Sequence, residues 1–242
     1  VDTIKRQMFP DGGSPKTIPD AILRSSVVIR AGLGCAVLAV LSALSAQILL
    51  PSPGAFVLGL GCIVIFAGYS LPPLRLNYRG GGELLEMAGV GIALPLYNAR
   101  LQGGSCTELA WPWLLGFSLL SLASAIASGL SDEQSDRRGG KRTFTTMCGN
   151  RRARHATEWL VLLGGASWAL SAWRWPELAP PFVMLLAVAV LLLYLVPMVR
   201  ASQAARTNAF AEQTRYKAYL HQAIWHSTTL AALLLWIRLT LG

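Results

Sequence analysis

The sequence predicts an all-α integral membrane helical bundle with seven transmembrane helices. Hydrophobic residues make up 53% of the 242 residues, charged residues only 14%, and the mean hydropathy is +0.47. The charges are concentrated between apolar runs, and each run approaches the roughly 20 residues that a helix needs to cross a bilayer. Composition and pattern together therefore disfavour a water-soluble fold.

The elements follow in a simple order. Residues 1–25 are polar and punctuated by proline and glycine, which predicts a loop. Seven apolar segments come next, and with their loops they form a single membrane-embedded domain over residues 1–242. Their predicted bounds are 27–50, 54–72, 84–101, 110–131, 156–175, 178–199 and 221–241. Pro95 is expected to kink the third segment because it has no N–H to donate.

The basic residues predict the orientation of the bundle. Eighteen of the 21 Lys and Arg residues fall on the face that carries the N-terminus, and only Arg100, Arg174 and Arg238 fall on the other. This asymmetry predicts a multi-pass protein of the inner (plasma) membrane, with the N-terminus and the polar loops in the cytoplasm. The net charge of +9 suits membrane lipid headgroups or a diphosphate, and the absence of a stacking platform between the bases argues against nucleic acid. The sequence does not indicate the oligomeric state.

One polar stretch, residues 132–143 with the sequence DEQSDRRGGKRT, separates the fourth and fifth segments. If the preceding helix continues through it, Asp132 and Asp136 share one face, with Cβ atoms about 6 Å apart. Two such carboxylates repel unless a cation lies between them, and Mg²⁺ is usually held by one or two carboxylates plus phosphate oxygens. Gly139 and Gly140 permit a sharp turn close to a ligand. The stretch therefore predicts a magnesium–diphosphate site, with an ordinary charged loop between membrane helices as the simpler alternative.

Several short motifs resemble those of the UbiA superfamily of membrane prenyltransferases. Asp132, Asp136 and residues 140–143 resemble its second aspartate-rich motif, D-x-x-x-D-x-x-x-G-K-R-T. Residues 69–76 (YSLPPLRL) resemble its Tyr-Ser-x-Pro-Pro segment. Residues 79–84 (RGGGEL) are similar to the Arg-Gly-x-Gly-Glu run of the 1,4-dihydroxy-2-naphthoate polyprenyltransferase branch. Motifs and hydropathy together cover nearly the whole chain.

This resemblance implies a Mg²⁺-dependent enzyme that transfers a polyprenyl group from its diphosphate to an aromatic acceptor. The branch motif implies 1,4-dihydroxy-2-naphthoate as the acceptor, in menaquinone biosynthesis. Other members of the superfamily use 4-hydroxybenzoate, homogentisate, a chlorin or haem, and these stay open as alternatives. The length of the prenyl chain is not indicated.

The candidate diphosphate ligands are basic side chains, since Arg offers a planar fork of donors and Lys a point charge. They are Arg75, Arg79, Arg137, Lys141 and Arg142. Many relatives have a lysine after the tyrosine of the Tyr-Ser-x-Pro-Pro segment, whereas this chain has an arginine six residues further on.

Three further residues are catalytic candidates beside the aspartates. An allylic cation forms as the carbon–oxygen bond of the substrate breaks, and the aromatic faces of Tyr69 and Tyr78 are suited to stabilise it. The resemblance implies that Glu83 lies near the aromatic acceptor as a base for its hydroxyl group. The alternative to this catalytic role is a salt bridge from Glu83 to Arg79.

A seven-helix transporter or scaffold, whose acidic loop only binds lipid headgroups, is the alternative from a different functional class. A transporter is expected to have ionisable residues or broken helices near the bilayer midplane. The middles of the first, second, fourth, fifth and sixth segments contain no ionisable residue, which favours the enzyme.

The resemblance also implies nine helices and two aspartate-rich motifs. The seven segments correspond to the last seven of those helices, and residues 2–19 resemble the loop that follows the first motif. Asp2 is then the last carboxylate of that motif and a further metal ligand. We therefore expect these 242 residues alone to show little prenyl transfer, and a cavity open on one side next to the first and last segments.

Overall fold

The computed structural model describes residues 2–10, 17–50, 53–102, 111–178 and 180–241. Within these ranges the secondary structure is helical, apart from one parallel bridge between Arg79 and Arg142. The all-α prediction is therefore confirmed.

The described residues form α-helices of very different lengths. In chain order they are α1 Asp2–Met8, α2 Ser25–Leu49, α3 Ala55–Ser70, α4 Leu76–Arg79, α5 Gly82–Glu86, α6 Leu94–Leu101, α7 Trp111–Ser128, α8 Glu133–Arg138, α9 Phe144–Cys148, α10 Asn150–Arg174, α11 Pro181–Ser202 and α12 Phe210–Leu241. A π-helical stretch, Met87–Ala93, joins α5 to α6, and a 3₁₀ turn, Gly129–Ser131, joins α7 to α8.

Each of the seven predicted segments is helical. By length and composition, three helices can cross a membrane: Ser25–Leu49, Trp113–Ser131 and Pro181–Ser202. A shorter apolar helix spans Ala55–Ser70. The apolar helices point to a membrane protein, while the full count of seven spans stays a prediction.

The packed core lies between α7, α10, α11 and α12. Leu120, Trp168, Met184 and Tyr216 are fully buried there. The close approach of α7 to α10 requires Gly116, because a Cβ at this position would lie 2.3 Å from Nε1 of Trp168. Four long helices with one shared core give the candidate site a rigid support on this side.

By contrast, α2 and α3 form an edge of the bundle. Helix α2 packs against α3 and buries only Ala43, and most of its leucine, isoleucine and valine side chains are exposed. An exposed apolar surface of this kind is suited to lipid or to another helix.

The predicted kink at Pro95 takes the form of a wider helical turn. The π-helical stretch Met87–Ala93 ends just before Pro95, the residue that has no N–H to donate. Gly91 in this stretch touches α7, where a Cβ would lie 2.8 Å from Cα of Ser118. The third segment is thus one helical rod that packs closely on α7.

Candidate active site

The stretch that resembles the aspartate-rich motif forms one wall of a cavity of about 160 Å³. Helix α7 does not continue through it as expected, since it tightens into the 3₁₀ turn and α8 begins only after Asp132. The amide of Asp136 nevertheless donates to the carbonyl of Asp132 at 2.8 Å. The two aspartates are therefore one turn apart, and both line the cavity.

Asp136 is a buried carboxylate with unused acceptor capacity. Its side chain is 1% exposed, and neither oxygen accepts a hydrogen bond from the described residues. Nζ of Lys141 lies 3.4 Å from Oδ2, close enough for an ion pair. Burial raises the pKa of Asp136 to about 6, although Lys141 opposes the shift. Buried polar atoms normally have partners, so these oxygens fit a hard cation that prefers oxygen ligands.

The glycine turn explains how Lys141 reaches Asp136. Helix α8 ends in a Schellman motif, in which Gly140 has a φ of +68° and its amide donates to the carbonyl of Arg137. The amide of Lys141 then donates to the carbonyl of Asp136 at 2.8 Å. This reversal of the chain places the lysine side chain over the preceding helical turn.

Asp132 has basic neighbours that the sequence analysis missed. Lys5, on α1, forms an ion pair with its carboxylate. Lys217, on α12, donates to Oγ of Ser131 at 3.1 Å, and burial lowers the pKa of this lysine while Asp132 opposes the shift. No local pattern reveals these contacts, because the partners are about 80 to 130 positions apart in the chain.

The facing wall of the cavity comes from α3, α4 and α5. It includes Tyr69 and Asn77 together with two carboxylates of α5, Glu83 and Glu86. Oε1 of Glu83 accepts a hydrogen bond of 2.7 Å from the amide of Phe144. Glu83 thus fastens this wall to the loop that carries Lys141, and within the described residues no ion pair joins it to Arg79, the alternative left open above.

Of the predicted diphosphate ligands, Lys141 lines the cavity and the arginines do not. Arg75 lies 4.2 Å from the ring of Tyr78, and Arg137 pairs with Glu133 at 3.1 Å. Arg79 and Arg142 are exposed and bridged through their backbones. For Arg142 the reason is local, because the turn after α8 directs Lys141 towards Asp136 and leaves the next side chain at the surface.

The predicted metal ligand Asp2 is also outside the cavity lining. It is exposed at the start of α1, and from this helix Lys5 reaches Asp132 instead. The stretch 12–14, which belongs to the same predicted loop, lies outside the described residues.

Two apolar cavities lie beside α7 and α12, and the first of them adjoins the polar cavity. The first, of about 540 Å³, shares Glu86 with the polar cavity and is lined further by Phe117, Ile224 and Trp225. The second, of about 390 Å³, shares Phe117 with the first and continues to Leu235. As expected, this space adjoins the last segment. Its other walls are the third and fourth segments and Trp168 of the fifth, and not the first segment, since α2 packs against α3.

A polar cavity beside apolar cavities suits a substrate with a charged head and an apolar tail. Comparison with known proteins is consistent with such a substrate. Residues 15–221 match the model of the UbiA prenyltransferase family. The chain belongs to this family. The predicted resemblance is thus confirmed at the level of the family, and family membership supports membrane embedding.

Among curated proteins, the UbiA-family chain is similar to the 2-acylphloroglucinol 4-prenyltransferase, chloroplastic, of Humulus lupulus. The two are 28% identical over 183 residues, which are 71% of this chain and 43% of the relative. The chain therefore spans less than half the length of that relative. No solved structure gives a significant match.

Proposed function

We propose that this UbiA-family protein transfers a polyprenyl group from its diphosphate to an aromatic acceptor in the membrane. The observation that carries the proposal is that two unlike cavities, one polar and one apolar, lie side by side and share Glu86 as a lining residue. The polar cavity offers aspartates and lysine to a diphosphate, and the apolar cavities offer a groove to the prenyl chain. The aromatic acceptor is supported by the relative, whose name states that it prenylates a 2-acylphloroglucinol.

Asp132 and Asp136 would hold a divalent cation, for which we propose Mg²⁺. No group of three or more His, Cys, Asp and Glu side chains within the described residues could hold a metal. The proposed ion would therefore depend on the substrate, because Mg²⁺ is usually shared by one or two carboxylates and substrate phosphate oxygens. When bound, Mg²⁺ neutralises the diphosphate and makes it a better leaving group.

The residues of the chain act on both halves of the substrate. Lys141 binds a diphosphate oxygen, and its ion pair with Asp136 becomes weaker as it does so. The carbon–oxygen bond of the substrate breaks, the diphosphate departs with the bonding electrons, and Tyr69 stabilises the allylic cation. A carbon of the aromatic ring forms the new bond, and a carboxylate of α5, Glu83 or Glu86, takes up the displaced proton.

Within this function we propose 1,4-dihydroxy-2-naphthoate as the acceptor, in menaquinone biosynthesis. The support is the sequence of residues 79–84, which forms the connection from α4 to α5 at the cavity wall. The alternatives are 4-hydroxybenzoate, homogentisate, a chlorin or haem. Membranes that contain the full protein, incubated with labelled prenyl diphosphates and this panel of acceptors, test the proposal. A labelled prenyl naphthoate is the expected product, and a product from another acceptor would reassign the substrate.

We also propose that the polar cavity faces the cytoplasm of a cell whose inner membrane holds the protein. The asymmetry of the basic residues supports this orientation. Single cysteines introduced into a variant without its native cysteines should resist a membrane-impermeant reagent at position 138 in intact cells and react at position 177. The reverse pattern would overturn the orientation.

A further inference from the structure

A second polar cavity, of about 350 Å³, lies where α10 begins and α11 ends, and it shares no lining residue with the candidate active site. Three arginines line it, Arg151 and Arg154 from α10 and Arg206 from the turn after α11, but only one carboxylate, Glu158. We call it the arginine pocket. The function proposed above makes no use of it.

Arg154 is the fixed part of the arginine pocket. It is 7% exposed, its Nε donates to Oδ1 of Asn150 at 2.8 Å, and its Nη1 donates to the carbonyl and hydroxyl oxygens of Ser202. All these acceptors are neutral, so the buried charge is oriented without being neutralised. Burial lowers the pKa of Arg154, Tyr216 and Glu158 oppose this shift, and the charges of Arg206 and Arg151 add to it.

The single carboxylate of the pocket, Glu158, contacts two side chains that are not arginines. Oε2 of Glu158 lies 3.1 Å from Nδ1 of His155, and Oε1 accepts from the hydroxyl group of Tyr216 at 3.4 Å. Within the described part of the chain, no ion pair joins Glu158 to an arginine of the pocket. A buried guanidinium is costly unless it is paired, so the pocket has an excess of positive charge that an anion would offset.

The position of the pocket limits the class of anion. Its residues flank the predicted ends of the fifth and sixth membrane segments, on the same side as the acidic stretch. Val199 of α11, which lines the pocket, is an exposed apolar side chain, and so are Trp159 on α10 and Val196 on α11, one turn or less from lining residues. The volume is at the low end of the range for small-molecule pockets, roughly 300–1,000 Å³. Basic pockets between membrane helices on the cytoplasmic side are suited to anionic lipid headgroups.

We propose that the arginine pocket binds a phosphate group, with Arg154 as the buried anchor and Arg151 and Arg206 as the outer ligands. Arg is well matched to phosphate because its planar fork donates two parallel hydrogen bonds. The phosphate can belong to an anionic phospholipid, whose acyl chains would lie over Trp159 and Val199. It can also belong to a soluble phosphate or diphosphate, and the experiment separates these two sources.

The test compares two double variants of the full protein in nanodiscs. Arg151→Ala/Arg206→Ala removes the exposed ligands and keeps Arg154, whose bonds to α11 make it a risky position to change. Arg30→Ala/Arg215→Ala removes the same charge from exposed positions outside the pocket. Binding of phosphatidylglycerol against phosphatidylcholine is measured by native mass spectrometry. Inorganic phosphate and diphosphate are added in a second arm as competitors.

In the lipid case, the pocket variant should lose at least about tenfold in its preference for phosphatidylglycerol, since each arginine removed takes away charge-assisted hydrogen bonds to the phosphate. The control should change by less than about twofold. If millimolar phosphate or diphosphate displaces the lipid, or binds instead of it, in wild type and not in the pocket variant, the ligand is the soluble anion. The proposal is overturned if both double variants bind phosphatidylglycerol equally. It is also overturned if wild type neither prefers phosphatidylglycerol to phosphatidylcholine nor binds phosphate or diphosphate. None of these readouts requires prenyl transfer, so the proposed function can fail without affecting them.

Discussion

The acidic cavity around Asp136 and the arginine pocket around Arg154 are neighbours with opposite charge. A hydrogen bond of 2.7 Å joins Thr207, the residue after Arg206, to Glu133, the residue after Asp132. In the first, a buried carboxylate accepts no hydrogen bond from the described residues, and in the second, a buried guanidinium has only neutral acceptors. Each is therefore suited to a ligand of the opposite charge, a cation with diphosphate in one and a phosphate in the other.

The largest expected effect is on prenyl transfer. Asp136→Asn should lower the rate by about 10³-fold or more, because it removes one of two ligands to a cation that contributes several kcal/mol of charge stabilisation. The exposed Glu177, between α10 and α11, provides the matched control Glu177→Gln, which should keep the wild-type rate. Transfer of a radiolabelled prenyl group in membranes measures both. An equal loss of activity in both variants would contradict the proposal that Asp136 binds the catalytic cation.

The same substitution should stabilise the protein when no divalent ion is present. The pKa of Asp136 in the folded protein is about 6, above its ordinary value of 3.8. The side chain therefore contributes most to the free energy of unfolding below about pH 4, and this contribution is lost as the pH rises through 6. At pH 8 in EDTA, Asp136→Asn should therefore gain up to about 3 kcal/mol over wild type, and at pH 4 it should gain almost nothing. Thermal unfolding in detergent at both pH values measures this. A variant that is less stable than wild type at pH 8 would contradict the account.

The sequence predicted one of these cavities and missed the other for physical reasons. Asp132, Asp136 and Lys141 lie within ten residues, and a local turn brings them together, so a motif reveals them. The arginine pocket joins the start of α10 to the end of α11, and Arg154 and Arg206 meet only through tertiary packing. In the sequence they count merely as two of the many bases on the predicted cytoplasmic side.

The fold shows the same division. Apolar runs correctly predicted the helical segments, but α10 begins at Asn150 and α12 at Phe210, well before the predicted 156 and 221. The added turns contain buried polar residues such as Arg154 and Gln213, which hydropathy assigns to loops. The prediction of a loop over residues 1–25 was wrong for Asp2–Met8, which is helical. The contact of Lys5 with Asp132 could not be predicted either, because it depends on the packing of this helix, α1, against α8.

A smaller effect should appear in the arginine pocket. Glu158→Gln removes its one negative charge and should raise its affinity for phosphatidylglycerol by about fivefold, which corresponds to ~1 kcal/mol. Prenyl transfer should not change, because Glu158 lines a different cavity. Native mass spectrometry and the transfer assay check the two halves. Weaker lipid binding by this variant would mean that Glu158 supports the ligand instead of opposing it.

The smallest effect on cation affinity is expected from a change at Lys5, which forms an ion pair with Asp132 and so competes with a cation for this carboxylate. Lys5→Ala should raise the affinity for Mn²⁺ by about two- to fivefold, since a partly exposed ion pair contributes only about 0.2–1 kcal/mol. Gln7→Ala, an exposed change on the same helix, is the control. Titration of Mn²⁺ followed by electron paramagnetic resonance measures the affinity. A lower affinity in Lys5→Ala would show that the lysine assists the cation site.

The central claim is that Asp136 holds a divalent cation together with a prenyl diphosphate. The most direct measurement is the binding of Mn²⁺ by the full protein in nanodiscs, followed by electron paramagnetic resonance, with and without a non-hydrolysable prenyl diphosphate analogue. We predict that the analogue tightens Mn²⁺ binding in wild type and in Glu177→Gln, and that Asp136→Asn abolishes this tightening. Equal tightening in Asp136→Asn would contradict the account, because the cation would then bind without the buried carboxylate.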